Sequence, residues 1–333
     1  MSALIEDLLN PASLPDETST VSLIQTHISM VFIADRFVYK VKKPVNFGFL
    51  DFLTLEKRAY YCQQEVTLNR RLAKDIYIGV LPIRFNGKRH TMRGREGEIV
   101  EYAVKMRRIP EEKLMKAVFM RGELTVSDLK RIAGVLSRFH LNALRTPEIE
   151  SFGKPERFKI NTDENFEQVS KYVGITIGKA DFSALKKWTE NFYESREALF
   201  RERIREGRIR DCHGDLHMEH VCLTPDLEII DCIEFNDRFR YSDTIADIAF
   251  LLMDLDFHGG QDFSRLLWQE YSKRTKEQDN SLPLLTFYKV YRAFVRGKVN
   301  SFQVDDKGIS EEERGRAIET ARKYFSLARS YIE

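Results

Sequence analysis

The chain has 333 residues, more than one modal domain, and with 43% hydrophobic and 11% aromatic residues it can bury a substantial core. Lysine and arginine number 53 against 51 aspartates and glutamates, a net charge of +2, which gives no grounds for nucleic acid or an anionic membrane as partner. No run approaches the roughly eighteen apolar residues of a membrane span. The N-terminus MSALIEDLLNPASLPDE lacks the basic opening of a signal peptide, and four cysteines read as reduced thiols, so a cytoplasmic protein is expected.

In chain order, Ser29 to Ile33 and Arg36 to Val41 are short β-rich runs about a turn at Ala34-Asp35, which predicts a hairpin. Leu55 to Leu72 follows as a helix, with apolar positions at Tyr60, Val66, Leu68 and Leu72. Ile76 to Ile83 and Gly97 to Met106 return to strand composition. After Met106 the character changes. Thr125 to Leu144 predicts a helix: Leu129, Ile132, Ala133, Leu136, Phe139 and His140 share one face, and Thr125 and Asp128 have capping-box spacing. Asp181 to Glu206 predicts another, and three more are expected over about 240–256, 283–303 and 310–331. The expectation is an α+β chain with a small β-rich lobe over 1–104 and a mainly helical lobe over 105–333.

The segment with the most chemistry is DCHGDLHMEHVCL, Asp211 to Leu223, followed by EIIDCIEF, Glu228 to Phe235. Asp215 sits in a loop after His213 and Gly214. Asp231, sixteen positions on, follows the apolar residues Leu227, Ile229 and Ile230 and a turn at Thr224-Pro225-Asp226. One carboxylate on a loop and another at a strand end suit phosphoryl transfer, where one orients the attacking hydroxyl and the other holds Mg²⁺ against nucleotide phosphates. The segment resembles the catalytic loop of the aminoglycoside phosphotransferase and choline kinase group, whose usual form is HGDLHxxN followed by an IDxE strand. The likeness is greatest to uncharacterised bacterial aminoglycoside-phosphotransferase-family proteins. The resemblance implies a protein-kinase-like fold of two lobes. It also implies an ATP- and Mg²⁺-dependent phosphotransferase acting on a hydroxyl group of a small molecule. Alternatives are a nucleotide-binding pseudokinase with a regulatory or scaffolding role, and a protein Ser/Thr kinase of the same fold. No G-x-x-x-x-G-K-[ST] run is present, so P-loop chemistry is not indicated.

Carried onto this chain, the resemblance makes Asp215 the catalytic base, Asp231 the Mg²⁺ ligand and His213 a structural residue of the loop. His220 stands where relatives have Asn. Imidazole is a poorer partner than a carbonyl oxygen for Mg²⁺, so His220 is a candidate metal ligand, phosphate contact or packing residue. Lys40, in RFVYKVKKP, is the candidate nucleotide-phosphate lysine, with Glu65 as its partner on the helix. Lys42 and Lys43 are rivals; strand alternation puts Lys40 and Lys42 on one face and Lys43 on the other. No G-x-G-x-x-G stands in the first hairpin, where THISMVFIAD runs instead; Ser29 or the backbone near His27 is the candidate substitute. Cys212, His213, His217, His220, Cys222 and Cys232 contain no C-x₂₋₄-C pair, so a structural zinc site is the weaker account of them. Asp247 is expected to brace the catalytic loop. Arg292 and Arg296, four apart on a late helix, are expected to form a solvated stripe.

Overall fold

A computed structural model of the chain describes residues 2–306 and 308–333. These form two compact units: residues 2–123 with 219–237, and residues 124–218 with 238–306 and 308–333. The first unit thus runs beyond the change of character at 104 and takes in the hairpin that carries Asp231.

The first unit is built on a six-stranded antiparallel sheet of β1 (Ser22–Gln25), β2 (Ser29–Ile33), β3 (Phe37–Lys42), β4 (Tyr77–Phe85), β5 (His90–Thr91) and β6 (Glu98–Arg107), in the order β1-β2-β3-β6-β4-β5. The hairpin predicted at Ala34-Asp35 is present, with Ile33 opposite Val38. The edge strands β1 and β5 were not expected; β1 is mostly exposed and β5 only two residues long, so neither leaves a run of alternating burial. The helix Leu55–Asn69 begins at Thr54, whose hydroxyl accepts from Lys57 N. It buries Cys62 and Val66 against Tyr77 and Val104 of the sheet and Ile76 just before β4. Tyr60, expected on that face, is exposed instead, because the buried stripe runs through Arg58, Cys62, Glu65 and Asn69, three of which are polar.

Residues 219–237 join this unit through backbone bonds. The strands β8 (Val221–Cys222) and β9 (Glu228–Ile229) pair with each other. Leu223 N donates to Lys113 O, and Ile229 N to Leu72 O.

The second unit is mainly helical. Val126–Asn142 carries the predicted capping box of Thr125 and Asp128. Lys179–Arg205, Thr244–Phe257, Leu282–Phe302 and Glu311–Ser330 match the other expected helices. Pro155–Val169 and Gln261–Thr275 were not expected; the buried stripe of the second is Ser264, Leu267, Tyr271 and Thr275, too polar to show an apolar period. The core gathers Phe166, Leu185, Phe250, Met253, Phe294 and Phe325. At Gly297 a Cβ would meet the Phe325 ring at 2.7 Å, so only glycine lets these helices approach as they do. A short ribbon of β7 (Ile209–Asp211) and β10 (Tyr241–Asp243) leads into the HGD loop.

Candidate active site

The first unit holds a buried charge cluster. Lys40 and Lys42 lie two apart on β3 and so face the same way. Both meet Glu65 of the helix: Lys40 Nζ lies 3.0 Å from one carboxylate oxygen and Lys42 Nζ 2.7 Å from the other. Lys40 Nζ also lies 2.7 Å from Asp231 Oδ1, and Lys42 pairs with Glu234. Lys42 is 1% exposed, and its ammonium sits 4.9 Å from the centroid of the Phe52 ring. Lys43, on the other face, donates to Thr26 O.

Burial by itself lowers the pKa of each lysine, but the surrounding carboxylates outweigh it and hold both ammonium groups above their ordinary range. Burial likewise pushes Glu65 up, and the two lysines overcome it, so its carboxyl stays below the usual range. At Glu234 burial prevails and the pKa is raised. Two cations thus face three carboxylates.

Asp231 sits in the left-handed region, φ 63°, which aspartate tolerates better than most side chains. Its N–H donates to the Tyr77 hydroxyl at 3.1 Å, and Cys232 N donates to Asn69 Oδ1 at 2.8 Å. These bonds turn the chain so that the carboxylate, 42% exposed, keeps a solvent-facing side. His220 Nε2 lies 3.6 Å from Asp231 Oδ2. Lys40, Glu65, Asp231 and His220 are therefore together in one cluster of the first unit.

Asp215 belongs to the second unit. Gly214 before it has φ 88°, a conformation glycine adopts freely. Asp215 N donates to His213 Nδ1 at 3.3 Å, and the Asp215 carboxylate lies 3.6 Å from His217 Nε2. Beneath the loop, the fully buried Asp247 accepts from His213 N at 3.0 Å and Gly214 N at 2.7 Å. His140 Nε2 lies 3.0 Å from the same carboxylate. Burial raises the Asp247 pKa, but His140 and the His213 amide outweigh it and hold it well below the usual carboxylate range. Arg292 is not part of a solvated stripe: it is 5% exposed and donates to Gly214 O at 3.0 Å and Ala246 O at 3.1 Å. Arg296 is partly buried, near the Tyr324 ring. The i, i+4 spacing was legible, but it could not say that this face of the helix packs inward.

Two further residues of the first cluster had escaped the sequence. Glu234 stands in the apolar run Cys232-Ile233-Glu234-Phe235, and a buried carboxylate in such a run needs a cation. Tyr77 looked like an ordinary strand residue, and its hydroxyl orients Asp231.

No family model matches the chain. An uncharacterized protein of Mycobacterium tuberculosis and its counterpart in Mycobacterium bovis are each 32% identical over 280 residues, covering 84% of this chain and 54% of theirs. The chain thus spans about half the length of these curated relatives. Among solved structures, a choline/ethanolamine kinase family protein from Mesorhizobium loti aligns over 98% of this chain and 99% of its own, at 13% identity and a TM-score of 0.51. An amicoumacin kinase, solved in complex with AMP-PNP, Ca²⁺ and Ami, aligns over 96% of this chain and 89% of its own, at 11% identity and a TM-score of 0.52. The chain accordingly has the α+β, protein-kinase-like fold found in the choline/ethanolamine kinase family protein and in the amicoumacin kinase.

Proposed function

We propose that the protein is an ATP-dependent phosphotransferase that phosphorylates a hydroxyl group of a small molecule. The observation that carries this reading is the cluster of the first unit: a strand lysine paired with a buried helix glutamate and adjoining a half-exposed aspartate. A lysine held charged in this way suits nucleotide phosphates, and the fold is one in which a solved kinase binds an ATP analogue.

The donor set also fits Mg²⁺. Asp231 offers a carboxylate with a solvent-facing side, and the cluster's carboxylates outnumber its lysines. When bound, the ion would neutralise charge on the phosphates. Asp231 would hold it, with His220 as a candidate second ligand. Lys40 would grip the phosphates, and Glu65 would keep its ammonium in place. Lys42 anchors Glu65 and Glu234 rather than the nucleotide. Asp215 would accept the proton of the acceptor hydroxyl and orient its oxygen for in-line attack. The Asp247 and Arg292 bonds to the loop keep that carboxylate in register.

The test is phosphoryl transfer from γ-labelled ATP into a pool of hydroxylated metabolites. Wild type should label a metabolite in the presence of Mg²⁺. Asp215→Asn should bind nucleotide normally and lose transfer by about 10²–10⁴-fold, the usual worth of a general base. Nucleotide binding without transfer into any metabolite or protein would instead make the chain a pseudokinase.

A further inference from the structure

The second unit contains a recess of about 340 Å³ away from the loop that carries Asp215, within the size range of small-molecule pockets. Arg208, Arg210, Arg274 and Lys276 line it, with Glu206 as the one acidic residue of its wall. His140 and Tyr271 also line it, both buried. Four cations against one carboxylate is an imbalance that the neighbouring acids reduce without removing. Arg208 lies 3.6 Å from Glu206 and 3.4 Å from Glu277, and Arg274 lies 3.6 Å from Glu270. These separations are longer than hydrogen bonds.

Among the described residues Arg210 and Lys276 form no ion pair, although the Glu150 charge acts on Arg210 from beyond pairing distance. Arg210 donates to two backbone carbonyls, of Gly207 at 2.7 Å and Ala143 at 2.9 Å. Three of its five N–H groups are left for another acceptor. Burial, and then the like charges of Arg145 and Arg208, hold the Arg210 guanidinium below its ordinary range. An anion would relieve that crowding, and guanidinium groups match phosphate oxygens in shape as well as charge.

The recess is wired to the HGD loop in two ways. Arg210 is the middle residue of β7, whose end continues into Cys212, His213 and Gly214. Tyr271 lies 2.8 Å from His140 Nδ1, and His140 Nε2 lies 3.0 Å from Asp247, which holds the His213 and Gly214 amides. Because Asp247 can only accept, His140 donates to it from Nε2, and its Nδ1 faces the Tyr271 hydroxyl.

We propose that this recess binds a small phosphate-bearing anion, and that its occupancy steadies the loop carrying Asp215 through β7 and the Tyr271–His140–Asp247 chain. The site is independent of the nucleotide-binding reading and is tested without catalysis. Inorganic pyrophosphate is titrated calorimetrically at constant ionic strength, without divalent metal, into wild type and into Arg274→Gln/Lys276→Gly. The Arg274 side chain is exposed, and Lys276 already has φ 57°, which glycine adopts readily, so the variant should keep its fold. A matching urea midpoint checks this, and Arg274→Gln alone serves if it does not match. Wild type should bind saturably, and the double variant at least tenfold more weakly. Hydrogen exchange at the His213 and Gly214 amides should slow on binding in wild type and not in the variant. Absence of saturable binding, or equal binding by both proteins, overturns the site. Binding that leaves those two amides unchanged overturns the coupling.

Discussion

Exchanging each strand lysine for methionine should separate the two roles that the charge cluster assigns them. Lys42 is 1% exposed and lies between Glu65, 0% exposed, and Glu234, 8% exposed. Lys42→Met removes the cation from Glu234 and one of two from Glu65, leaving carboxylate charge buried and underpaired. Breaking a buried pair from one side costs about 3–5 kcal/mol. With a urea slope of about 2 kcal/mol per molar, the unfolding midpoint should fall by roughly 1.5–2.5 M. Lys40→Met differs: Glu65 keeps Lys42, and Asp231 is 42% exposed and can be hydrated. A pair open to solvent on one side contributes about 1 kcal/mol or less, so the midpoint should move by about 0.5 M at most. Nucleotide affinity should show the opposite ranking, with Lys40→Met losing at least about tenfold, equivalent to about 1.4 kcal/mol. The assays are urea unfolding followed by circular dichroism, and ATP titration at a urea concentration of zero. Equal midpoint shifts for the two variants, or a Lys42→Met protein as stable as wild type, would refute the assignment of Lys42 as the structural lysine.

Asp231→Asn should abolish the Mg²⁺-dependent part of nucleotide binding, seen as loss of the extra thermal stabilisation that Mg²⁺ adds to ATP alone. Asp247 has a folded-state pKa depressed below its unfolded value of about 3.9, so its contribution is present above that value and lost as pH falls through the folded one. The unfolding free energy of wild type from urea titrations should therefore fall, through this group, by up to about 1.4 kcal/mol per pH unit as pH drops below about 4, and Asp247→Asn should be less stable at pH 7 and flatter with pH. Gly297→Ala should cost about 1–3 kcal/mol, because its methyl must displace the Phe325 ring between two packed helices; thermal unfolding of the variant checks it.

Local features of the sequence were legible where chemistry and structure lie close together in the chain. The β2–β3 hairpin, the Thr125–Asp128 capping box and the parity that turns Lys40 and Lys42 to one face all depend on residues a few positions apart. The HGD loop and the strand-end aspartate stood out for the same reason, because residue type and spacing there are the chemistry. Strand alternation could not rank Lys40 against Lys42, since their partners are distant: Asp231 is 191 residues from Lys40, and Glu234 is 192 from Lys42. Only tertiary packing brings the 219–237 hairpin onto the first unit and supplies each lysine with a different second carboxylate. It likewise decided that Arg292 lies inside under Gly214 and not in solvent, because helical spacing defines a face but not what that face meets. The sequence by itself determined which groups could do the chemistry; long-range burial decided which of them are charged, paired and held in place.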